Sequence, residues 1–196
     1  MSFQRISVKL FVNEPNNVVL AEYVPIFQRW IQQSRLAGLL IDVVDYKHVV
    51  DGPGVILIGS ESDYALDMQQ GRPGLLYTRK RQLQPEFAAA LTDALRLALT
   101  AAQLLEGDRK LKGRITFDPT QALISLHDRL RAPNSVETFE AVRPALTSVL
   151  GQLYGVDAFT LAAAFDDPRH LFAVQVNAPD AGNLAAIAER LQAVTA

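Results

Sequence analysis

The sequence predicts an α+β fold, with mainly antiparallel or mixed sheets and helices packed largely on one face. Three observations carry that reading. Short apolar runs bounded by Gly, Pro and Asp recur along the chain, as strands do. Four longer segments space their apolar residues by three and four, the period of a helix face. Most of these segments are separated by clusters of strands, which argues against strict βαβ alternation and a purely parallel sheet.

Taken in order, Val8, Leu10 and Val12 alternate as a first strand that stops at the Asn13-Glu14-Pro15-Asn16-Asn17 turn. Leu20, Tyr23, Val24, Phe27, Trp30 and Ile31 mark a helix, with Pro25 placed in its first turn and Gly38 closing it. Residues 39–44 and 55–58 are apolar runs on either side of the Gly52-Pro53-Gly54 turn and read as buried strands. Residues 64–68 and 75–78 read as a further hairpin. Residues 87–105 form the longest predicted helix, with Phe87, Leu91, Leu95 and Ala98 on its main face. Leu97, Leu99 and Leu104 lie off that face, so burial on more than one side is expected, either as a central helix or at a subunit interface.

The polar stretch 108–113 divides the chain into an N-terminal half (1–107) and a C-terminal half (114–196), which can pack as one domain. The second half repeats a pattern: strand, Asp-Pro turn, strand, Ala-Pro-[Asn/Asp], helix. It runs through Asp118-Pro119 and Ala132-Pro133-Asn134, then through Asp167-Pro168 and Ala178-Pro179-Asp180. The echo suggests a duplicated ββα unit. Asn134 and Glu137 have the spacing of a capping pair, and Pro144 is expected to kink or split its helix.

Composition narrows the chemistry. Of 196 residues 49% are hydrophobic and 20% charged, enough for a core and too apolar for a disordered chain. A net charge of −2 argues against gripping a nucleic-acid backbone, which requires a basic field. The absence of cysteine excludes disulfides, thiolate metal sites and cysteine nucleophiles. No apolar signal region opens the chain, and the long apolar segment is interrupted by Asp93 and Arg96, so a cytoplasmic protein without membrane contact is expected. No cofactor is implied.

The motifs are sparse. Gly59-Ser60-Glu61-Ser62 lacks the final glycine of a nucleophile elbow, and Gly52-Pro53-Gly54 lacks the Lys and Ser/Thr of a phosphate loop. Asp42, Asp45 and His48 recur every three residues and are a candidate divalent-metal set of carboxylate and imidazole donors. Residues 42–67 are acid-rich and residues 72–81 basic. If the two segments are neighbours in a sheet, Asp45, His48, Tyr64, Tyr77 and Arg79 would line a groove for a small polar ligand. His127-Asp128 reads as a polar strand end rather than an acid–base pair, because adjacent strand residues face opposite sides.

The expected function is therefore a non-catalytic binding or protein-interaction module that self-associates, as a homodimer. The alternative is a small-molecule-binding protein or hydrolase-like enzyme using residues 42–81.

Overall fold

The computed structural model describes residues 5–81 and 86–195. The strands are β1 (Ile6–Val12), β2 (Leu40–Asp45), β3 (Val55–Gly59), β4 (Ser62–Asp67), β5 (Gly74–Arg79), β6 (Phe117–Leu126), β7 (Thr160–Ala163) and β8 (Phe172–Asn177). The helices are α1 (Tyr23–Gln32), α2 (Phe87–Glu106), α3 (Val136–Tyr154) and α4 (Leu184–Thr195). All eight strands join one sheet in the order β2-β3-β4-β5-β1-β6-β8-β7, and every pairing is antiparallel. The fold is thus α+β, with one sheet running through both halves of the chain and joined where β1 pairs with β6.

Strand periodicity sorts the sheet into two faces. Val8 of β1 stands opposite Tyr77 of β5 and Ile124 of β6, and Leu10 stands opposite Leu75 and Ala122. These residues, with Leu57, Tyr64 and Leu66 from β3 and β4 and Val174 and Val176 from β8, form a single core with the helices. α1 covers β2 and β3 through Ile26, Phe27 and Trp30, α2 crosses β1 and β5, and α3 and α4 pack on α2. α2 is long and apolar enough to cross a membrane, but here it is a core helix, touching strands on one side and helices on others. Burial on more than one side is what its off-face leucines anticipate.

Local departures from the expected pattern have identifiable causes. Asp118-Pro119 is not a hairpin turn: β6 runs through it, and the ladder with β1 shifts register between Leu10 and Val12. A bulge is where a strand tolerates proline, and Asp118 secures it by accepting from the Thr120 amide and hydroxyl at 2.9 and 2.6 Å. The first ββα unit is therefore a single strand followed by α3, and the duplication is not seen. The second unit does form, as β7, β8 and α4. Ser135, not Asn134, caps α3, accepting from the Thr138 amide at 3.3 Å. Asn134 instead donates to the Phe165 and Asp167 carbonyls. α3 is not split by Pro144 and continues through it from Val136 to Tyr154. α1 stops at Gln32, before Gly38, and its first turn accommodates Pro25.

Candidate functional site: a polar pocket on the helix-free face

Among the described residues, no α-helix packs on the second face of the sheet. Register places Ser7, Lys9 and Phe11 there from β1, Leu76 and Thr78 from β5, and Leu123 and Ser125 from β6. β4 adds Ala65 and Asp67. An antiparallel sheet with one bare face ordinarily turns solvated polar residues outward. Here Ser7, Lys9 and Asp67 are only 2%, 4% and 2% exposed. Two loops account for the cover. Residues 69–72 fold over the middle of the face, where the Arg72 guanidinium lies 3.6 Å from the Phe11 ring centroid and donates to Gln121 Oε1 at 2.7 Å. The β7–β8 connection brings in Phe165 and His170, whose rings stack 4.7 Å apart. Between these loops lies a pocket of about 270 Å3.

At one end of this face, Lys9 Nζ donates to Asp67 Oδ2 at 2.5 Å and to the Gln69 carbonyl at 3.2 Å. To make that contact the Lys9 stem crosses β5 above Gly74. A Cβ at Gly74 would stand 3.0 Å from Lys9 Cε and 2.5 Å from the Leu10 carbonyl oxygen. Glycine is thus required by a close approach. Burial pushes the Asp67 carboxyl above its usual range, and the Lys9 ammonium pulls it back. Asp67 Oδ1 is buried without a hydrogen-bond partner, a cost that a site needing polarity would retain.

At the other end, Ser7 Oγ and His127 Nε2 are 2.8 Å apart, and Ser125 stands directly opposite Ser7. Burial, helped by the positive charge of Arg5, pushes His127 down to about 4. Its imidazole is therefore neutral at pH 7, able to donate from one nitrogen and accept at the other. Arg129, Arg169 and His170 complete the lining at this end. Arg129 donates to the Arg169 carbonyl, and Arg169 is paired with Asp167 at 2.6 Å.

A serine and an imidazole within hydrogen-bond reach raise the question of nucleophilic catalysis. Ser7 lies on a central strand whose neighbours on both sides occupy its backbone ladder. It is not on a strained turn with free amides to stabilise an oxyanion. Among the described residues, no carboxylate is hydrogen-bonded to His127.

The residues singled out from sequence lie elsewhere and apart. Tyr64 and Tyr77 are cross-strand partners, ring centroids 5.1 Å apart, but both are buried on the helix-covered face. Arg79 is buried at the end of β5 beside Asp93, at 3.5 Å. Together with Tyr77 it lines a smaller pocket of about 170 Å3 under α2. Asp45 is level with Val55, Leu66 and Leu75, at the opposite end of the strands. Strand geometry puts its backbone roughly 20 Å from that of Arg79. His48 is exposed on the following turn. The five do not form one groove. The candidate metal residues do not converge either: Asp42 accepts from the Val43 amide, Asp45 binds Lys47 at 2.8 Å, and among the described residues no three potential ligands come together. Acidic and basic segments do become neighbours, as β2 to β5, and Lys80 pairs with Asp63 at 2.8 Å, but Asp45 and Arg79 stand at opposite ends of the strands.

Sequence reasoning passed over Ser7 and Lys9, and left Asp67 and His127 without a site role. The signal lay in Lys9, a charge in the middle of Ile-Ser-Val-Lys-Leu-Phe-Val. A lysine inside a central strand needs a partner, and Asp67 is the acid that register delivers.

No family model matches the chain, and no curated protein or solved structure matches it. The functional reading rests on the site alone.

Proposed function

We propose that this protein is a non-catalytic binding module that holds a small polar ligand in the pocket on the helix-free face of its sheet. The observation that carries the reading is the burial of Ser7, Lys9 and Asp67 on a face that no helix covers. Loops that close over polar side chains, leaving a cavity lined by hydroxyl and imidazole groups, suit a ligand able to satisfy them. The volume, near the lower bound for organic-ligand sites, fits a metabolite-sized molecule rather than a peptide. A thermal-shift screen against small polar metabolites tests this, with wild type beside Leu123→Trp, which fills the pocket from β6. A ligand at one hundred times its dissociation constant adds about 2.7 kcal/mol. The reading expects a stabilising compound whose effect is lost in Leu123→Trp. Hits unaffected by that substitution, or no hit in a broad panel, count against it.

Self-association is supported by a difference between the sheet edges. β2 carries two guards of an edge strand, an irregularity between Leu40 and Asp42 and the acids Asp42 and Asp45. β7, Thr-Leu-Ala-Ala, carries neither charge nor bulge. Two copies pairing through β7 about a two-fold axis would bring no like charges together within the strand, whereas pairing through β2 would bring carboxylates close. Sedimentation velocity is expected to give a dimer for wild type and a monomer for Ala162→Lys. A wild-type monomer, or a variant that stays dimeric, contradicts pairing through this edge.

A further inference from the structure

We propose that the ligand is anchored by an anionic oxygen group, carboxylate or phosphate, seated at the Ser7–Ser125–His127 end of the pocket beneath Arg129. This inference rests on the helix-free face being the binding site.

The argument is one of charge in a confined place. The chain as a whole is slightly acidic, yet this end of the pocket is lined by two guanidinium groups. Arg129 comes from the segment after β6, and Arg169 from the β7–β8 connection, which also brings in the His170 ring. The acids nearby are already engaged: Asp167 with Arg169 at 2.6 Å and Asp128 with Arg131 at 3.9 Å. Arg129 spends one N–H on the Arg169 carbonyl, and a guanidinium has five to give. Asp67, the carboxylate that would repel an anion, stands two strands away and level with Phe11, roughly 16 Å from Ser7 by strand geometry. Lys9 neutralises it there. Charge thus separates along the face, with the Lys9–Asp67 pair at one end and, at the other, the Arg129 guanidinium, which forms no ion pair among the described residues, beside the Arg169–Asp167 pair.

Neutral donors at the positive end point the same way. Ser7 and Ser125 are an opposed cross-strand pair, so two hydroxyls share a patch only one strand spacing wide. Ser7 and His127 share one hydrogen bond between them. A hydroxyl can turn its proton toward an incoming acceptor while its oxygen accepts from the imidazole. Hydroxyl and guanidinium donors on one wall are the means by which proteins hold carboxylate and phosphate oxygens. A cationic ligand would meet Arg129 at this end, since the carboxylate lining the pocket, Asp67, stands at the far end paired with Lys9, and a neutral polyol would leave the guanidinium unmatched.

The test is calorimetric titration at fixed ionic strength with three probes: inorganic phosphate, propionate and glycerol. Wild type, Arg129→Gln, Ser125→Ala and a remote control, Arg109→Gln, are compared. Arg129 and Arg109 are exposed, so both variants are expected to fold, with melting temperature as the check. The inference predicts that at least one anion binds, and which of the two binds tighter identifies the group. It also predicts that Arg129→Gln weakens binding about tenfold or more, the scale of a lost charge-assisted hydrogen bond, and that Ser125→Ala weakens it less. Arg109→Gln should leave it unchanged. Anion binding that Arg129→Gln does not weaken, or that Arg109→Gln weakens equally, overturns the inference. Binding of glycerol alone overturns it while leaving the pocket as a site. No binding by any probe overturns it as well, and the metabolite screen with Leu123→Trp then decides the binding reading separately.

Discussion

Replacing Lys9 with methionine removes the cation from Asp67 while keeping most of the volume that passes over Gly74. The Lys9 and Asp67 side chains are 5% and 3% exposed, and their charged atoms lie 2.5 Å apart. Breaking a buried pair on one side costs about 3–5 kcal/mol, because the remaining charge is left uncompensated. For a chain of this length that corresponds to roughly 6–20 °C in melting temperature. The cost should depend on pH with a definite sign. Burial already raises the Asp67 carboxyl in the folded state, and without Lys9 it rises further. A carboxyl with a raised folded pKa is destabilising when ionised, so the penalty in Lys9→Met is small below the unfolded value near 4 and grows as pH rises toward the new folded value. Removing both charges, as Lys9→Met with Asp67→Leu, should recover most of the loss, since a buried pair is often replaceable by apolar groups at little net cost. Urea denaturation of wild type, both single variants and the double variant at pH 4.5 and pH 8 measures all four corners. A Lys9→Met cost below about 1 kcal/mol, equal at both pH values, would refute the claim that this pair is buried and coupled. So would a double variant as unstable as the sum of the singles.

Gly74→Ala should destabilise the fold by about 1–3 kcal/mol, the usual cost of overpacking, because the added carbon meets the Leu10 carbonyl and the Lys9 stem; a neutral effect in urea would show that β1 and β5 can part cheaply. His127 should titrate near 4 when followed by NMR, and a midpoint near 6.5 would mean that the ring is solvated. Its lowered pKa implies that stability from this residue is complete above about 6.5 and declines as the pH falls toward 4, a trend that His127→Gln should remove. Arg72→Ala should cost about 1–2 kcal/mol through loss of the Phe11 contact and the Gln121 hydrogen bond, and should open the pocket, read as faster amide exchange at residues 69–72.

The sheet was legible because its strands are written in the two signals that sequence carries best, alternation and short apolar runs. β1, β3 and the β4–β5 hairpin follow from Val8-x-Leu10-x-Val12, residues 55–58 and the runs 64–68 and 75–78. α2 was legible because its leucines exceed what one face requires. The Asp118-Pro119 turn was misread because the same dipeptide ends one strand and bulges another, and only pairing with Val12 distinguishes the two. Strand order was out of reach, since β1 finds its partners β5 and β6 far along the chain. The site was hidden for the same reason. Ser7, Asp67, Ser125 and His127 come from β1, β4 and β6, with His127 just past the end of β6, and only Ser125 and His127, two residues apart, are related by a linear spacing. The stretch 42–81 looked like a site because its charges are dense in sequence, but they end in local contacts, such as Lys80 with Asp63 and Lys47 with Asp45, rather than in one groove. Lys9, isolated among apolar residues, was the more informative charge.

The central claim is that ligand recognition occurs on the helix-free face, and chemical-shift mapping of backbone amides tests it most directly. Wild-type protein labelled with 15N is titrated with inorganic phosphate, propionate and the best stabilising metabolite. The account predicts saturable shifts concentrated at Ser7, Leu123, Ser125, His127 and Leu171. Shifts concentrated instead around Arg35, Arg109 and Lys110, or around Tyr77, Arg79 and Asp93, would place recognition in another pocket and contradict it.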